Sequence, residues 1–116
     1  MMKFGIQFRQ GDIILVPFPF TDLSTAKQRP ALVISKNNYN SKTDDIIICG
    51  ITSNLKDNDY SVLIANSDLS SGNLITQSRV KLDKIFTLNK SKVIRKFGAI
   101  REEVMSKIKL ELNTMF

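Results

Sequence analysis

Three short stretches carry residue types that handle phosphate. Gln28 and Arg29 stand directly before Pro30, at the mouth of an apolar run, Ala31 to Ile34, that Ser35 closes. Thr52 and Ser53 end a second apolar run in "IICGITS". Arg79, Lys81, Asp83 and Lys84 crowd the alternating stretch "SRVKLDKIFTL". A guanidinium offers a planar fork of donors to phosphate oxygens, and hydroxyls and ammonium groups add single donors. Pro30 narrows the backbone choices of Arg29 and suits the first residue of a strand, where a missing N–H costs little. Each stretch also has a structural reading. An arginine before a strand commonly pairs with a surface carboxylate, Thr-Ser after a strand opens a turn, and "KLDK" suits a solvated edge.

Other chemistries are excluded by what the chain lacks. It has no histidine, so histidine triads, histidine-based zinc sites and histidine-pair ribonuclease sites are impossible. Its one cysteine, Cys49, sits among apolar residues and reads as a small core side chain, with no histidine to activate it. A lone cysteine forms no internal disulfide, so a reducing cytoplasm is the expected setting. The start, "MMKFGIQFRQGD", is too short and too broken by polar residues for a secretory signal. No apolar run approaches the roughly 20 residues that span a bilayer. Seventeen Lys and Arg against eleven Asp and Glu leave a formal charge of +6, which suits a polyanionic partner such as nucleic acid or an acidic protein.

The elements that must position these residues are short. The 116 residues suit one domain, 1–116, with an ordinary apolar fraction of 42%. "GDIILVPF" predicts a turn at Gly11-Asp12 and a buried strand to about Val16. Pro17 and Pro19 then predict an exit into a long loop, "PFPFTDLSTAKQ". Strands follow at 31–35, at 46–52 and within "YSVLIA", separated by the turn-rich "NNYNSKTDD" and "NLKDND". "NSDLSSGNL" fits either a helical turn or a loop. In "SRVKLDKIFTL", Val80 and Leu82, with Ile85 as a third candidate, share one face, and Arg79, Lys81 and Asp83 the other. "KVIRKFGAI" offers one more short strand. The end is an amphipathic helix, with Val104, Ile108 and Leu112 in line and Met105 and Met115 beside them. Glu102 and Glu103 favour its dipole, and no good N-cap precedes it. Many short strands and one covering helix predict an α+β, mainly β domain, a small curved barrel.

The order "RQGDIILVPFPFTD", "KQRPALVIS", "IICGITS" and "VKLDKIFTLNKSKV" resembles the MazF/PemK family of toxin ribonucleases, from about Arg9 to the terminal helix. The resemblance implies an SH3-like barrel, usually a homodimer, that cuts single-stranded RNA at short motifs without a metal or other cofactor. It also implies an acidic antitoxin that wraps the toxin. Residue by residue, Arg29 and Thr52 match the catalytic arginine and threonine, and Asp83 falls where members like Kid/PemK carry an aspartate proposed as general base. Lys81 sits at the position of a basic partner. Gln28, Ser53, Ser78, Lys81, Lys84 and Phe20 are the implied substrate contacts. Where some members carry a histidine after the first strand, this chain has "FTDLSTAK", and where several carry an arginine after the fifth, it has Phe86. Phe18 and Phe20 would line the RNA groove or the dimer seam, and Phe86 would stack on a base or enter the core.

Cleavage by a neighbouring 2′-hydroxyl needs a proton acceptor, stabilisation of the phosphorane and a protonated leaving oxygen. The resemblance assigns the oxygens to Arg29, orientation to Thr52 and the base to Asp83, with a 2′,3′-cyclic phosphate as product. Two other functions remain open at this level. A non-catalytic module would keep the barrel and bind nucleic acid or antitoxin. A gyrase inhibitor like CcdB would place activity at the C-terminal helix, with Met115 and Phe116.

Overall fold

The computed structural model describes residues 7–18 and 27–116. Phe20 and most of the loop after the first strand lie outside them. The first strand, β1, spans Asp12–Phe18, β2 spans Lys27–Val33, and a short helix α1 spans Asn37–Lys42. Strands β3 (Asp45–Thr52), β4 (Ser61–Ile64), β5 (Leu69–Gly72), β6 (Ser78–Asn89) and β7 (Arg95–Ile100) follow, then helix α2 (Glu102–Asn113). All seven described strands form one antiparallel sheet in the order β4-β6-β3-β2-β1-β7-β5.

The sheet curls round its main core. Val62 and Ile64 from one edge strand and Leu69 from the other join Ile13, Leu32, Cys49 and Ile51 in one cluster, so the two edges converge. Helix α2 closes this cluster with Met105 and Ile108, while Val104, Leu112 and Met115 pack at its margin. Its N-cap, Arg101, makes no side-chain capping bond, in line with the sequence. The opposite sheet face is buried as well. Ile14, Val16, Ala31, Val33, Ile46 and Ile48 form a second cluster with Phe8 and Leu88. Coverage on both faces explains why these strands read as continuous apolar runs.

Several boundaries differ from expectation. Strand β1 runs on through Pro17 to Phe18, and β2 begins at Lys27 rather than after Pro30. Pairing with β7 ends at Leu15, and pairing with β3 begins at Ala31. Beyond those points each strand is hydrogen-bonded on one side only, so each proline meets little ladder demand. The polar "NNYNSK" forms α1 rather than a turn. Buried Asn40 holds it by donating to Phe8 O (3.1 Å) and Ser35 O (3.0 Å). Lys90 holds its other end by donating to the carbonyls of Asn40 and Thr43. "NSDLSSGNL" resolves into a 3-10 turn at Asn66–Asp68 followed by β5.

Candidate functional site

Sheet register brings the first two phosphate-handling stretches together. Ala31 pairs with Gly50 across β2 and β3. Continuing that antiparallel register two residues sets Arg29 opposite Thr52. Both line a cleft of about 280 Å³ with Lys81, Lys84, Phe18 and Phe86. Val16, Pro30, Ala31, Ile48 and Ile51 add apolar lining to the same cleft. Phe18 and Phe86 meet edge to face, with centroids 5.9 Å apart and planes at 67°. Phe86 also packs against the second cluster, so it belongs both to the core margin and to the cleft wall.

Arg29 is exposed, and among the described residues it has no carboxylate partner. The surface ion-pair reading of this arginine therefore fails there. Thr52 follows its turn-opening reading. Its Oγ1 accepts from the Asn54 N–H at 3.1 Å, which opens the turn. Among the described residues the hydroxyl proton is not engaged, since a threonine hydroxyl accepts and donates through different parts of the group.

The third stretch is displaced from its expected place. Strand β6 lies between β4 and β3, so "KLDK" is no sheet edge. Ile85 pairs with Cys49 and Val80 with Ile51, which leaves the four residues 81–84 opposite the single residue Gly50. This bulge breaks the simple alternation expected for the strand and re-aims its side chains. Lys81, expected on an outward charged face, is buried with 5% exposure. Its ammonium donates to Asp57 Oδ1 at 2.8 Å and to Asp59 O at 2.6 Å, and lies 3.8 Å from Asp83 Oδ1. The Asp57 hydrogen bond is the main cause that raises the Lys81 pKa, with help from the charges of Asp83, Asp57 and Asp59 and against the cost of burial. Arg79 makes a parallel tether, donating from Nε to Leu55 O at 2.8 Å. Two β6 cations thus hold the β3–β4 loop in place.

The remaining expected residues separate. Asp83 is exposed and stands outside the cleft lining. Gln28 is exposed and pairs with Pro17, on the opposite face of β2 from Arg29. Ser53 is exposed beyond the cleft wall. Ser78 is buried and donates to Thr76 O at 3.1 Å, which makes it a strand-end anchor away from the cleft. Cys49 is fully buried, and burial pushes its thiol up to about 12, as a core residue requires. Met115 packs on the main core, while Phe116 is exposed. The residue missed from sequence is Asp57. It lines the cleft from within "NLKDND", a stretch legible only as a turn. Among the described residues no group of three or more His, Cys, Asp or Glu gathers with metal-binding geometry, and no helix is long and apolar enough to cross a membrane.

Residues 9–116 match the family model of the PemK-like, MazF-like toxins of type II toxin-antitoxin systems. No curated protein matches the sequence at a significant level. Solved structures do resemble the fold. An endoribonuclease from a Mycobacterial species aligns with a TM-score of 0.74 and 25% identity, over 97% of this chain and 93% of that one. An endoribonuclease in complex with its cognate antitoxin, also from a Mycobacterial species, aligns at 0.73 and 23% identity, over 95% and 93%. A MazE-MazF complex from Deinococcus radiodurans aligns at 0.76 and 20% identity, over 96% of each chain.

Proposed function

Because the chain belongs to the PemK-like, MazF-like toxins of type II toxin-antitoxin systems, we propose that it is an endoribonuclease that cuts single-stranded messenger RNA at short sequence motifs and so stops translation and growth. The observation that carries this reading is the Arg29 guanidinium, which has no carboxylate partner among the described residues and shares one cleft with Thr52. A fixed, permanently charged fork suits the non-bridging oxygens of a phosphodiester. The Thr52 hydroxyl, which donates to no group among the described residues, supplies a further donor to the same phosphate, and Lys84 adds charge in the cleft.

In the proposed reaction the 2′-oxygen attacks the neighbouring phosphorus while a carboxylate near Lys81 takes its proton. The phosphorus–O5′ bond breaks, and the departing oxygen takes a proton from solvent water. The products are a 2′,3′-cyclic phosphate and a 5′-hydroxyl. No step draws on a metal. Arg29 stabilises charge rather than giving up a proton, since guanidinium stays protonated in proteins.

A cognate acidic antitoxin is the proposed protein partner, supported by the chain's +6 charge and by the antitoxin complexes among its structural neighbours. A homodimer working in the cytoplasm completes the reading, on the strength of the family resemblance and the lone buried Cys49.

The test is cleavage of a long single-stranded RNA in excess EDTA. Wild type gives discrete fragments ending in cyclic or 3′-phosphates. Arg29→Ala and Thr52→Ala each lose at least about 100-fold, the scale of one oxyanion donor. Intact RNA at high protein concentration would leave a non-catalytic binding module instead.

A further inference from the structure

The cleft holds a carboxylate other than the one the family resemblance supplies. Asp57 lines it together with Arg29 and Thr52, and Asp83 does not. Short links fix Asp57 in that position. The Asn54 N–H donates to Thr52 Oγ1 at 3.1 Å, and the Asp57 N–H donates to Asn54 O at 3.1 Å. The hydroxyl of Thr52 and the backbone of Asp57 are therefore two hydrogen bonds apart. On the other side Lys81 donates to Asp57 Oδ1 at 2.8 Å. Among the described residues that bond engages one carboxylate oxygen and leaves Oδ2 for a ligand in the cleft.

Lys81 itself has little left to offer a substrate. Of its three N–H donors, one goes to Asp57 and one to the Asp59 carbonyl, and the Asp83 carboxylate lies 3.8 Å away. Buried at 5% exposure, it acts through the loop it holds and not on a phosphate. Asp57, by contrast, keeps 47% of its side chain exposed at the cleft.

Resting on the nuclease reading above, we propose that Asp57 is the carboxylate that accepts the 2′-hydroxyl proton, with Lys81 as its positioning residue. The O2′–H bond breaks as the O2′–P bond forms, and the proton passes to Asp57 Oδ2. The P–O5′ bond then breaks, and O5′ takes a proton from solvent water. Asp57 returns its proton to solvent, so the site is restored without a further reactant. The exposed Asp83 balances the charge of Lys81 from outside the cleft.

The test compares Asp57→Asn and Asp83→Asn in single-turnover cleavage across a pH series. Asparagine keeps an oxygen for Lys81 to donate to and removes only the charge. Each protein is also titrated with a 2′-O-methyl RNA of the cleaved sequence, which binds without reacting. Asp57→Asn should lose about 10²–10⁴-fold in rate, the range of one general base. Its affinity for the 2′-O-methyl RNA should hold within a few-fold, and the fall of the wild-type rate on the acid side should disappear. Asp83→Asn should stay within a few-fold of wild type. The reverse pattern would return the role to Asp83. A slower Asp57→Asn enzyme that keeps the wild-type pH profile would make Asp57 a loop anchor and overturn its catalytic role. Wild type that cuts no RNA would overturn the nuclease reading, and the base with it.

Discussion

At the residue scale, the cleft is organised by a buried cation whose partners the alternating pattern of its strand does not reveal. Lys81 reaches from the β6 bulge to Asp57 and Asp59, and so ties a polar loop to the sheet. Lys81→Met should cost about 1–3 kcal/mol, the range for hydrogen bonds to a charged group, and should loosen residues 53–60. Hydrogen exchange at the Asp57 and Leu82 amides reads the loosening directly. Unchanged protection there would mean the tether is dispensable. The pH dependence follows from the direction of the Lys81 shift. Its folded pKa is raised above the ordinary 10.5, so the stabilisation is complete below that value and fades as pH climbs through the folded one. Denaturant midpoints of wild type and Lys81→Met should therefore keep a constant gap from pH 6 to 9 and converge only in stronger alkali. A gap that closes near neutrality would contradict this.

At the element scale, the crossing of β5 and β7 depends on absent side chains. A Cβ on Gly72 would meet Phe97 O at 2.1 Å and the Gly98 Cα at 2.6 Å, and Gly72 has φ +78°. Gly72→Ala should cost about 1–3 kcal/mol by overpacking, with a further roughly 1–3 kcal/mol for the left-handed backbone. A drop of several degrees in Tm measures it, while an unaltered Tm would mean the two strands can part. Because β5 is an edge strand far along the sheet from β2 and β3, surviving folded protein should keep its cleft. The bulge of β6 works at the same scale. It sets four residues against Gly50 and thereby brings Lys81 and Lys84 into the cleft lining from a strand that sits inside the sheet.

At the scale of the whole molecule, the +6 charge governs encounter with a polyanion more than the fold itself. Binding of 2′-O-methyl RNA should weaken steeply with salt, and loss of one phosphate contact should lower the slope of log K against log salt by about 0.7 for a single strand. Arg29→Ala and Lys84→Ala should each produce that change, read by fluorescence anisotropy at several salt concentrations. An unaltered slope for Arg29→Ala would remove the guanidinium from the phosphate. The family match over residues 9–116 spans the sheet, the described cleft residues and the closing helix.

The sequence by itself determined the strand and helix framework, because apolar runs and the 3.6-residue stripe of α2 are local signals. It also marked Arg29 and Thr52; folding places Arg29 within β2 rather than before it, yet both residues line one cleft. The prolines misled at the ends of β1 and β2, since their cost depends on whether a neighbouring strand continues beside them. Helix α1 escaped notice because its stability comes from Asn40 and Lys90 reaching distant carbonyls rather than from an apolar face. Only the tertiary structure places Asp57, and not Asp83, in the cleft lining. Asp83 lies two positions from Lys81 in the chain, whereas Asp57 lies 24 positions away. The β6 bulge and the folded β3–β4 loop reverse that order in space, where hydrogen bonds are made.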